Sequence, residues 1–99
     1  MKQVFLNLFL NAIDAMKERG GILTITTKPI DNNIEIIIQD TGKGIPQKDI
    51  NHIFDPFYTT KETGTGLGMS IVYGIIKEHK GEIKVESEVG VGSAVKIRL

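Results

Sequence analysis

Three groups of residues in this chain have the types and spacings that chemistry needs. Gly64-Thr65-Gly66-Leu67-Gly68 runs straight into a helical stretch. Closely spaced glycines let backbone amides crowd around an anion, and a helix N-terminus adds unpaired N–H groups and a favourable dipole, so phosphate is the expected guest. No GxxxxGK occurs, which excludes a P-loop, and no strand leads directly into these glycines, as a dinucleotide-binding turn requires. Taken alone, the segment also reads as a plain flexible loop.

A second group, Asp40-Thr41-Gly42-Lys43-Gly44-Ile45-Pro46, begins where a strand is expected to end. A buried carboxylate there can accept a hydrogen bond from the exocyclic amine of adenine and disfavours guanine, which presents a carbonyl. Gly42 and Gly44 would let the backbone pass close to the base. The third group is the pair Asn7 and Asn11, one helical turn apart. Asparagine is a mediocre helix former, so two of them in an apolar helix point beyond propensity. An amide oxygen suits Mg²⁺ when phosphates and waters complete the octahedron. By themselves these two groups also fit a simple turn and a solvent-facing stripe.

The surrounding elements must position these residues. Residues 3–18 read as a helix stopped by Gly20-Gly21, with Gln3, Asn7, Asn11, Asp14 and Glu18 in one narrow stripe. Residues 22–28 and 34–39 form an expected hairpin whose turn holds Pro29 and Asp31-Asn32-Asn33. Residues 40–68 carry little regular structure apart from a short helical stretch over 47–53 behind Pro46, and a connection of this length is usually functional. Residues 69–79 form a second helix ended by Gly81. Residues 82–87 and 93–99 form a second hairpin through Gly90 and Gly92. The order predicts an α+β fold, helices layered on one face of a mostly antiparallel sheet.

Composition narrows the classes further. The 99 residues suffice for one domain, which at this size buries only roughly 60–65 % of its unfolded surface. Net charge is zero, so neither a nucleic-acid footprint nor a polybasic membrane patch is expected. The chain has no cysteine, hence no disulfide, thiolate metal site or cysteine nucleophile. The longest apolar-rich stretch is interrupted by Asn7, Asn11 and Asp14, too short to span a bilayer and without a signal-peptide cleavage site. A soluble, cytoplasmic domain is the expectation.

In combination the groups resemble the catalytic ATP-binding domain of sensor histidine kinases. Residues 3–16, with Asn-Leu-Phe-Leu-Asn-Ala, resemble the N box; 40–46 resemble the first glycine box; 53–61 resemble the F box; 64–70 resemble the second glycine box. Four motifs in the family's order, across nearly the whole chain, imply a single domain over 1–99. The implied fold is the Bergerat (GHKL) two-layer α/β sandwich with a mostly antiparallel mixed sheet, binding ATP or ADP and Mg²⁺. The resemblance implies that Asn11 holds Mg²⁺ with Asn7 supporting metal and phosphates, and that Asp40 reads adenine. Gly42, Gly44 and Ile45 would line the base pocket. Gly64, Thr65, Gly66, Leu67 and Gly68 would hold the phosphates, and Thr59, Thr60 and Lys61 would contact the γ-phosphate, Lys61 and Asn7 serving catalysis. Phe54 and Phe57 would anchor the lid, or serve as core aromatics.

The implied reaction is transfer of the γ-phosphoryl group to a histidine on a separate dimerisation domain, and onward to a response regulator. That histidine typically precedes an acidic residue, whereas His52 precedes Ile53 and His79 precedes Lys80. Two alternatives remain: an ATP-hydrolysing relative of the same fold, which needs a glutamate where Asn7 stands, or a non-catalytic nucleotide-binding fragment. Asp14 and Ala15 stand where the family often has basic or aromatic nucleotide contacts. The family's leading strand and helix are not in this chain, so an uncovered sheet edge or apolar surface and self-association are expected.

Overall fold

The computed structural model describes residues 2–18, 20–55 and 68–99. Helix α1 spans Lys2–Ala15 and buries Val4, Leu8 and Ala12, spaced by four, along one stripe. Met16 to Glu18 leave the helix as a turn, and Gly20, at φ +69°, closes it with its N–H donating to the Met16 carbonyl at 2.7 Å. The helix therefore stops three residues before the expected end, while the glycine stop stands as expected.

Strands β1 (Leu23–Ile30) and β2 (Asn33–Asp40) form the first hairpin. Its turn is only Asp31 and Asn32, with Asp31 at φ +53°, a conformation that Asp and Asn tolerate better than most residues. Pro29 lies inside β1 and not in the turn. The physical reason is that β1 is an edge strand, where a missing N–H costs no ladder bond on the outer side.

After the short helix α2 (Gln47–Ile50), entered through Pro46, comes α3 (Gly68–Glu78), which buries Val72 and Ile76. At its end Lys80 takes φ +59°, and the Gly81 N–H donates to the Ile76 carbonyl at 2.9 Å. A Cβ on Gly81 would lie 2.5 Å from the Arg98 carbonyl, so only glycine allows this close return onto the sheet. Strands β3 (Glu82–Glu88) and β4 (Gly92–Arg98) complete the described sheet in the order β1-β2-β4-β3. All three pairings are antiparallel, so the parallel component of the expected mixed sheet does not occur among the described residues.

The core joins the two layers. Val4 and Leu8 of α1 and Val72 and Ile76 of α3 meet Ile36, Ile38 and Ile97 of the sheet. Ile36 and Ile38 are two residues apart on β2 and so share its helix-side face. Asp40, two further on, inherits that face at the strand's end. The helix layer leaves an apolar stripe open on α1, where Leu6, Leu10 and Ile13 are each more than half exposed, and β1 is exposed along most of its length. Among the described residues no helix is long and apolar enough to cross a membrane.

Candidate functional site

The period-two alternation of β2 turns the Asp40 side chain inward, and its residue is only 9 % exposed. A buried carboxylate needs donors. One is its own loop: the Gly42 N–H donates to Asp40 Oδ1 at 2.8 Å. Among the described residues none donates to the second oxygen.

The loop over 41–46 is held on every side. The Ile22 N–H donates to Thr41 Oγ1 at 2.9 Å. The Lys43 N–H donates at 3.1 Å to the carbonyl of Ala15, one of the last carbonyls of α1 that has no partner within its own helix. Gly42 passes so close to the same carbonyl that a Cβ would lie 2.6 Å from its oxygen. Gly44, at φ +77°, packs against the Glu88 carbonyl, and the Ile45 N–H donates to Ser87 Oγ at 2.7 Å. Gly42 and Gly44 are thus required by close approach and backbone conformation. A recess of about 170 Å³ lies between this loop and the end of α1, lined by Asp14 to Glu18, Gly20, and Thr41 to Lys43. Asp14 and Lys17 pair at 3.6 Å beside it.

Asn7, on the polar stripe of α1, faces the start of α3. Asn7 Nδ2 donates at 3.3 Å to the carbonyl of Gly68, the first residue of α3, and Asn11 lies half-buried one turn further along. The structure therefore places Asn7 beside Gly68, and Gly42, Gly44 and Ile45 in the loop that leaves β2 at Asp40. Thr59, Thr60, Lys61, Gly64, Thr65, Gly66 and Leu67 lie outside the described residues, as does Phe57. Phe54 packs on Tyr73 of α3 with ring centroids 5.1 Å apart. Of the histidines, His52 pairs with Asp55 at 3.1 Å, and His79 donates to the Ile75 carbonyl at 2.9 Å, capping its own helix.

Sequence reasoning missed the β3–β4 hairpin as part of this assembly. Gly90 and Gly92 read as turn glycines, yet the Gly90 N–H donates to the Lys43 carbonyl at 2.9 Å, and a Cβ on Gly92 would run into the Asp40 carbonyl. The only sequence signal was two glycines where a tight turn needs one.

The whole chain, residues 1–99, matches the family model described as histidine kinase-, DNA gyrase B-, and HSP90-like ATPase. The chain belongs to that family. Within it the likeness is to sensor kinases. Sporulation kinase C of Bacillus subtilis (strain 168) is 48 % identical over 99 residues, which are all of this chain and 23 % of that protein. Sensor histidine kinase ZraS of Escherichia coli (strain K12) is 42 % identical over 93 residues, 94 % of this chain and 20 % of that one. The chain thus spans under a quarter of the length of these curated relatives. Among solved structures, the catalytic domain of histidine kinase ThkA superposes with a TM-score of 0.85 at 35 % identity, over 99 % of this chain and 64 % of that one. ShkA, solved in complex with AMPPNP, superposes with a TM-score of 0.87 at 28 % identity, over 98 % of this chain and 20 % of that one. This ATPase-family domain has the α+β fold of histidine kinase catalytic domains.

Proposed function

We propose that this domain binds Mg-ATP as the catalytic core of a two-component sensor histidine kinase and presents the γ-phosphate to a histidine on a separate dimerisation domain. The observation that carries the reading is the buried Asp40 carboxylate, with one oxygen committed to Gly42 and the other left for a donor. That arrangement suits the exocyclic amine of adenine. The glycine loop brings backbone to the base, and the α1 stripe faces the helix start where the second glycine box enters.

The residues on α1 fit a magnesium ion. Asn11 offers a hard amide oxygen, and among the described residues no group of three His, Cys, Asp or Glu forms a rival cage. A single protein oxygen with phosphates and water is the way Mg²⁺ is commonly held beside a nucleotide. Bound there, the ion would neutralise charge on the phosphates. Asn7 orients the approach to α3 and supports the phosphates; having no basic function, it does not activate water, which disfavours hydrolysis as the purpose of the site. Phosphoryl transfer consists mostly of positioning and charge neutralisation, so the domain can hold ATP ready for an acceptor supplied by another domain. His52 and His79 are engaged locally, which supports an acceptor elsewhere and, beyond it, a response regulator. Lys61, Thr59 and Thr60 are the proposed γ-phosphate contacts, and residues 64–68 the phosphate cradle.

The test is transfer of radiolabelled γ-phosphoryl from ATP to a separately supplied histidine-bearing helical domain. Asn11→Ala should remove most of the Mg²⁺ dependence of nucleotide binding and abolish transfer, with Asn7→Ala affected less completely. Undiminished Mg²⁺ enhancement in Asn11→Ala would place the metal elsewhere. The open stripe of Leu6, Leu10 and Ile13 and the exposed edge strand β1 also predict self-association, by edge pairing or helix exchange. Sedimentation across a concentration range should show oligomers; a single monomeric species at high concentration contradicts this.

A further inference from the structure

The proposed base-binding loop is closed at both ends, and the second closure is made by a residue far away in sequence. Asp40, Ser93 and Ser87 stand in one cross-strand row over β2, β4 and β3. At the start of the loop Asp40 Oδ1 holds the Gly42 N–H. At its end the Ile45 N–H donates to Ser87 Oγ at 2.7 Å, returning the chain to the row from which it left.

A serine hydroxyl offers one donor and two acceptor positions. Ser87 fills all three: it accepts from Ile45, donates to the Gly92 carbonyl at 3.0 Å, and accepts from Ser93 Oγ at 2.8 Å. Being half-buried, it is shielded from competing water. Around it the hairpin adds the Gly90 N–H on the Lys43 carbonyl and the Glu88 carbonyl under Gly44. We infer that Ser87 is a positioning residue for nucleotide binding, acting through the Ile45 amide to hold the loop over 41–46 in its ligand-ready form. The inference rests on the reading of Asp40 as the base contact.

Ordering a loop before the ligand arrives removes that cost from binding. Without the hydroxyl, the folded chain keeps its core and loses the loop's second anchor. Ser87→Ala should therefore weaken ATP binding by about 5- to 20-fold, the range expected when a partly buried N–H loses its acceptor. Ser87→Thr, which retains the hydroxyl, should stay within about threefold of the native chain, and amide exchange at Ile45 should accelerate in Ser87→Ala only.

The experiment is ATP titration of the 99-residue chain and its variants at a temperature where circular dichroism shows each fully folded, with exchange followed by NMR. A merely structural role for Ser87 would lower the melting temperature and leave the affinity of the folded chain unchanged. Native ATP affinity in folded Ser87→Ala, with Asp40→Ala impaired, overturns the inference alone. Native affinity in Asp40→Ala as well overturns the base-binding reading and this inference with it. Should Ser87→Ala fail to fold, Ser87→Cys carries the same test, since sulfur is a weak acceptor.

Discussion

Asp40→Ala should weaken ATP binding about 10- to 150-fold, because a hydrogen bond to a charged group contributes roughly 1.5–3 kcal/mol. The carboxylate sits on the inward face of β2, nearly out of solvent, with Gly42 on one oxygen. A ligand amine on the other would complete its partners in a poorly solvated setting. The substitution also frees the Gly42 N–H, so the loop loses an anchor as well as the proposed base contact. Asp40→Asn is the sharper variant. Its amide oxygen can keep the Gly42 bond, which turns the NH₂ toward the ligand; that donor suits the carbonyl of guanine and not the amine of adenine. Asp40→Asn should accordingly narrow or invert the preference for ATP over GTP. Calorimetric titration with both nucleotides reads this directly, and an unchanged ATP:GTP ratio in Asp40→Asn would remove Asp40 from the base site.

Gly44→Val should be as damaging by a different route. At φ +77° a β-branched residue is strained by on the order of 1–3 kcal/mol, and here there is also no room. A Cβ would meet the backbone of Glu88 and Val89 in the β3–β4 hairpin, which cannot swing away as a flexible side chain would. The loop must lift from the hairpin, and the bonds of Lys43 to Gly90 and of Ile45 to Ser87 lengthen with it. Denaturant unfolding should show a loss of at least about 1–3 kcal/mol, and ATP affinity should fall in the fraction that still folds. Gly68→Ala is the matched control: among the described residues nothing lies within 4 Å of an added Cβ there, and its stability should stay near that of the native chain. Native stability and affinity in Gly44→Val would show that the loop does not depend on its contact with the hairpin.

Local chemistry made much of this legible from sequence. The polar stripe of Gln3, Asn7, Asn11, Asp14 and Glu18 and the glycines that follow each helical stretch place both long helices within a few residues. Asp40 is expected just past a strand ending at Gln39; it is instead the last residue of β2, and the strand's alternation gives it the inward face. Pro29 was misread because proline usually marks a turn, and only the strand order reveals that β1 is an edge. The end of α1 was extended too far because Lys17 and Glu18 are good helix formers, whereas the Asp40 loop competes for the carbonyl of Ala15. The contacts that complete the site join distant residues. Asn7 meets Gly68 across 61 residues, and Ile45 meets Ser87 across 42. No periodicity records such pairings; they exist only once the sheet has brought β3 and β4 beside β2.

The proposed ATP site needs the carboxylate, the glycine loop and the asparagine stripe to act together. Its most direct test is titration of the isotope-labelled chain with Mg-ATP, following backbone amides and asparagine side-chain NH₂ signals by NMR. Saturable shifts are expected at Gly42, Gly44 and Ile45 that track those at Asn7 and Asn11 with a single dissociation constant, with weaker shifts at equal GTP. Saturable shifts confined to β1 or the outer stripe of α1, with residues 40–45 unmoved, would contradict it.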